Sequence, residues 1–141
     1  MALSIFIIAF STFSQASNKV TTTLEISEIM QCQQRHKDRI DYSRCLDSVV
    51  ITYERQLKTW QNDIEFKLQE VSKTNGRKDA MAIFDVANEE FVSFRKKNCQ
   101  WQYLAMLPDV SSASIIAKEC KIGMTAQRIE DLKEISAFEF Y

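Results

Sequence analysis

Residues that reverse a chain are almost missing from this sequence, which has two glycines and one proline in 141 residues. An all-β fold needs turn residues about every eight to twelve positions, so the shortage excludes sheets and favours long helices. The length fits one domain with one hydrophobic core. With 45% apolar and 26% charged residues, the composition is that of a folded chain rather than a disordered one.

The helices can be read from their apolar stripes. From Asp41 onward, Tyr42, Leu46, Val49, Tyr53, Leu57, Trp60, Ile64, Leu68 and Val71 recur at steps of three or four, the signature of one continuous helical face. Ser72 to Arg77 ends the run, with Asn75-Gly76 as the strongest turn signal in the chain. A second helix starts near Lys78 or Asp79, with Ala80, Phe84, Ala87, Phe91, Phe94 and Asn98 expected on its core face and Ile83, Trp101 and Leu104 flanking it. It stops before Pro108, since the residue preceding a proline avoids helix. Asp109 to Ser114 supplies capping residues for a third helix carrying Ile116, Cys120, Thr125, Ile129, Leu132 and Ile135. A shorter helical segment with Leu24, Ile26, Ile29 and Met30 precedes Cys32 and packs on the long helix. The expected architecture is an all-α antiparallel helical bundle with a long helical hairpin.

Leu3 to Phe10 is a short apolar run, followed by the small, polar stretch Ser11 to Ser17. This pattern reads as a secretory signal peptide over residues 1–16, cleaved after Ala16, with a single mature domain over 17–141. The run is too short to span a bilayer, so no stable membrane anchor is expected after cleavage. Export makes the four cysteines, Cys32, Cys45, Cys99 and Cys120, candidates for two disulfides. Three connectivities are open. Pairing Cys32 with Cys45 and Cys99 with Cys120 closes the two shortest loops and is favoured. Structural zinc takes closely spaced thiolate pairs, and none occurs here.

A net charge of −1 gives no basic face for nucleic acid. Catalysis finds little support either. The single histidine, His36, lies in a charged run, and the adjacent Glu89 and Glu90 point about 100° apart on a helix, so they cannot flank a bond. There is no phosphate loop, nucleophile elbow or metal-spaced histidine cluster. No enzyme, cofactor or metal is expected. Helical spacing assigns Phe84, Phe91, Phe94, Trp101 and Tyr103 to core packing. Arg95 is a candidate for a structural ion pair, and the terminal Phe138-Glu139-Phe140-Tyr141 is expected to dock on its own domain.

One further pattern is specific. Phe91, then Phe94-Arg95, then Cys99, followed by Cys120 and the helix Thr125, Arg128, Leu132, resembles the LprI-type lysozyme-inhibitor family of small exported bacterial proteins. Phe91 and Phe94 stand where the family usually has Trp and Tyr, and Lys96 where it has an acid. The resemblance implies a periplasmic or secreted helical bundle that binds a protein target, and names inhibition of a lysozyme-type, peptidoglycan-acting enzyme as its activity. A looser similarity is to immunity proteins that neutralise wall-attacking toxins of type VI secretion. A non-inhibitory envelope structural or stress protein is the third alternative. Loops on a rigid scaffold are the usual contact surfaces, which selects Asn75 and Gly76 in one connection and Asp109 and Ser111 in the other.

Overall fold

The computed structural model describes residues 26–140. The expected signal peptide, Leu24 and Tyr141 lie outside the described residues. Within them the chain is all-α, with helices α1 (Ser27–Arg35), α2 (Arg39–Asn75), α3 (Asp79–Ala105) and α4 (Val110–Ser136). Successive helices run antiparallel, so α2 and α4 are parallel. Tyr42 reaches Glu119 near one end of this pair, and Asp63 reaches Ser136 near the other.

The long stripe on α2 is the spine of the fold. Leu46, Val49, Leu57 and Ile64 are buried, with Tyr42, Tyr53, Trp60, Leu68 and Val71 half-buried between them. At 1.5 Å per residue α2 is ~55 Å long. Its ends are set locally. The Asp38 side chain caps the N-terminus by accepting from the amides of Ile40 and Asp41, at 2.8 and 3.1 Å. At the other end Gly76 takes the left-handed conformation (φ 74°) and donates its N–H to the Ser72 carbonyl, the stop that Asn75-Gly76 predicts.

Two disulfides staple the bundle, Cys32 to Cys45 across α1–α2 and Cys99 to Cys120 across α3–α4. The pairing is the one that closes the shortest loops. The hairpin-linked α2 and α3 touch only sparsely, because α3 leans on α4, and α4 lies along α2 for its whole length. Ala113 and Ile122 join Cys120, Thr125, Ile129 and Leu132 as the buried positions of α4. Ile116 is half-buried and Ile135 is exposed.

The expected core face of α3 needs correction. Phe84, Asn88, Phe91, Arg95 and Cys99 face the bundle, while Phe94 is 61% exposed and Trp101 59% exposed. Apolar residues occupy more than one side of α3, so their spacing does not identify the inner one. The inner face is chosen by the Cys99 bridge and by a buried ion pair at Arg95.

Candidate functional site

Arg95 is only 5% exposed, and a charge so deeply buried needs partners. It pairs with Glu54 of α2 at 2.9 Å and donates to the Thr125 hydroxyl of α4. Thr125 in turn donates to the Lys121 carbonyl, and the Lys121 ammonium reaches the same Glu54 at 2.9 Å. The Phe91 ring lies beneath two guanidinium groups, Arg95 at 5.3 Å and Arg128 at 5.7 Å from its centroid. Arg128 donates to the Asn88 side chain at 3.1 Å. Phe91, Arg95, Thr125 and Arg128 are thereby brought into one polar layer joining three helices, and Leu132 is fully buried just beyond it. Phe94 alone among these motif positions points outward.

This layer has no group free for acid–base or nucleophilic work. The Thr125 proton is committed to a backbone carbonyl, and Glu54 is held between two cations. The inward-facing motif residues Phe91, Arg95, Thr125 and Arg128 join α3 to α2 and α4. His36 follows the last turn of α1 as its C-cap. Its side chain makes no hydrogen bond among the described residues.

The two candidate contact connections stand at opposite ends of the bundle, separated by the length of α3, ~40 Å for its 27 residues. One partner cleft cannot hold both. Asn75 and Gly76 are engaged in ending α2, where the Asn75 side chain accepts the Arg77 amide at 2.9 Å; the neighbouring Arg77 and Asp79 pair with each other. The surface of this turn is polar.

At the other end, the α3–α4 connection and the short α1–α2 connection meet through Arg39 and Asp109, 3.3 Å apart. Asp109 caps α4 by accepting from the Ser112 amide and hydroxyl, at 3.1 and 2.7 Å. These Ser112 bonds, with Arg39 beside them, hold its carboxyl below the usual carboxylate range. Around this pair, at the end of the α3–α4 hairpin, the surface is apolar: Leu104, Met106, Leu107 and Val110 are all exposed, as is Ser111. The Cys99–Cys120 bridge lies behind the tip and the Cys32–Cys45 bridge beside it. The sequence marks the tip residues only as a loop; their shared exposure comes from the packing of α3 on α4.

Two hollows are formed by residues far apart in the chain. The splay between α2 and α3 leaves a groove of about 630 Å³ floored by α4, lined by Val50, Val92 and Tyr103 with Lys96, Lys118 and Lys121 along it. Lys118 is tied to Asp47 at 2.7 Å and to Ser43. A second hollow of about 570 Å³ lies between the end of α2 and the C-terminal tail, beside Phe66, Phe138 and Phe140. Phe140 packs on the core, while Phe138 stays exposed. No group of residues suited to hold a metal occurs among the described residues, and no described helix is long and apolar enough to cross a membrane.

A family described as lysozyme inhibitor LprI matches the chain over residues 29–132, from the first turn of α1 to the last turns of α4. No curated protein and no solved structure matches it.

Proposed function

The chain belongs to the lysozyme inhibitor LprI family, and from that premise we propose that it is a periplasmic proteinaceous inhibitor of a lysozyme-type, peptidoglycan-acting enzyme. The family match carries this reading. On it, residues 1–16 are the export signal and 17–141 the working domain, oxidised in the compartment where it acts.

The inhibitory surface on this reading is the stapled tip, and three of its properties support the assignment. It is an exposed apolar hairpin end, a chemistry that can fill a cleft and exclude water from it. The Cys99–Cys120 bridge ties together the two helices that carry it, and the Cys32–Cys45 bridge ties the neighbouring pair, so little conformational entropy is lost when it docks. It also presents a cation: Arg39 is exposed beside Asp109, and a guanidinium is a natural partner for the paired carboxylates of a glycosidase cleft. Asp109 then serves to fix the start of α4 and to orient Arg39, and Ser111 lies in the contact rim.

The test is inhibition of a panel of lysozymes and other wall hydrolases by the oxidised protein from Ser17 to Tyr141. Inhibition of a lysozyme is expected, and Leu107→Glu and Val110→Glu, both at exposed positions, should abolish it with the helical circular dichroism unchanged. Capture of a different wall-attacking toxin would replace this function with an immunity role. Failure to bind any wall enzyme would leave an envelope structural or stress protein.

A further inference from the structure

The outward face of α3 carries a second, unpartnered stripe: Ile83, Val86, Glu90, Phe94, Lys97, Trp101 and Leu104. Its members recur at steps of three and four, and Ile83, Phe94 and Trp101 fall within about 20° of one another around the helix. The apolar members are between 49% and 67% exposed, on a side turned away from Arg95 and Cys99. The Trp101 indole N–H already donates to the Asn98 side chain at 3.2 Å, so its ring is free to present apolar surface. Large exposed apolar rows on a helix mark interaction surfaces.

The order of residues in the stripe identifies what covers it. Reversed end to end about a point between Ser93 and Phe94, Ile83 exchanges with Leu104, Val86 with Trp101, and Glu90 with Lys97, while Phe94 falls beside itself. Apolar meets apolar and acid meets base. The neighbouring charges follow the same rule: Asp85, Glu89 and Glu90 precede the centre, and Lys96 and Lys97 follow it. Among the described residues neither Glu90 nor Lys97 has an ion-pair partner within its own chain. A parallel copy would set Glu90 against Glu90 and Lys97 against Lys97, so only the antiparallel arrangement is matched in both packing and charge.

We propose that the outer face of α3 is an isologous dimer interface, in which α3 of a second copy packs antiparallel across a two-fold axis at Phe94. Two Glu90–Lys97 pairs flank the axis, and the Ile83–Leu104 contacts close the ends. This surface takes up Leu104 at the margin of the tip but not its apex, so the dimer presents its two tips in opposite directions and leaves Leu107 and Val110 open.

The experiment is sedimentation velocity on the oxidised protein across the micromolar range, with thermal melting of each variant to confirm the fold. The wild type is expected to convert from monomer to dimer with rising concentration. Glu90→Lys and Lys97→Glu each set like charges in apposition and should weaken the dimer on the order of tenfold or more. The double swap Glu90→Lys with Lys97→Glu should restore it, and Phe94→Glu should leave a folded monomer. A wild type that stays monomeric, a dimer indifferent to Glu90→Lys, or a double swap that fails to rescue would each overturn the assignment. None of these results depends on whether a lysozyme is inhibited.

Discussion

Around the tip the fully buried core is aliphatic and cross-linked, with Ile26, Ile29, Leu46, Val49 and Ile122 packed around the Cys32–Cys45 bridge and Tyr42 and Tyr53 at its margin. Toward the turn after Asn75 there is no bridge, and Leu57, Ile64, Ile129 and Leu132 are ringed by Tyr53, Trp60, Phe84, Phe91 and Phe140. The polar layer of Glu54, Arg95, Lys121 and Thr125 separates the two. The difference follows from helix length. Helix α1 has nine residues, too few to persist through its own hydrogen bonds, and it buries only Ile29 and Cys32, so a covalent link holds it. In the other half three long helices run side by side, and aromatic area is enough to close them. Rigidity is thus concentrated at the end assigned to binding.

The comparison is most severely tested by reduction. Opening the two bridges should remove roughly 3 kcal/mol each through loop entropy. Hydrogen exchange should show α1 and the first turns of α2 losing protection before Leu57 and Ile64. Equal loss in both halves would mean that they form one cooperative unit and that the distinction is only chemical. Next in size is Leu132→Ala, at a fully buried position of the bridge-free half. It should cost about 3 kcal/mol in urea unfolding through the cavity it leaves, with α1 still protected. A smaller loss, about 2 kcal/mol, is expected for Arg95→Met, because Glu54 keeps Lys121 and some solvent while the Thr125 hydroxyl loses a donor. No change in urea unfolding on this substitution would mean that the polar layer adds nothing to the joint between the halves.

The parts of this fold legible in the sequence are those set by residues near one another. The α2 stripe, its glycine stop and the Asp109 cap follow from spacing or turn chemistry within a few residues, and the disulfide pairing is the one that the shortest loops favour among three open connectivities. The orientation of α3 does not, because Phe94 and Arg95 are adjacent and the choice between them is made by Glu54, forty-one positions earlier. An apolar count favours Phe94, whereas a carboxylate on another helix can stabilise Arg95 inside. The motif carried by the resemblance does contain the signal, since it places Arg95 and Thr125 in the same pattern and the two touch. The apolar tip was legible only as a connection, since its exposure depends on α3 leaning away from α2.

The smallest expected effect uses one chemistry at both ends. Asp63 accepts from Ser136 and Lys67, and these bonds hold its carboxyl below the usual carboxylate range and tie the last turn of α4 to α2. Asp109 is held low in the same way at the first turn of α4. A folded-state value below the unfolded one contributes stability that is complete above the ordinary carboxylate range and is lost as pH falls through the folded value. Acid therefore loosens both ends, but the Cys99–Cys120 bridge limits how far the tip can open, and nothing covalent limits the other. Hydrogen exchange in mild acid should show Ser136 and its neighbours opening before Ser112, with Trp60 fluorescence following the former. Asp63→Asn should remove most of that acid dependence and leave the tip unchanged. Fraying that begins at Ser112 instead would show that the staple does not protect the tip, and the rigidity assigned to that end would have to come from packing alone.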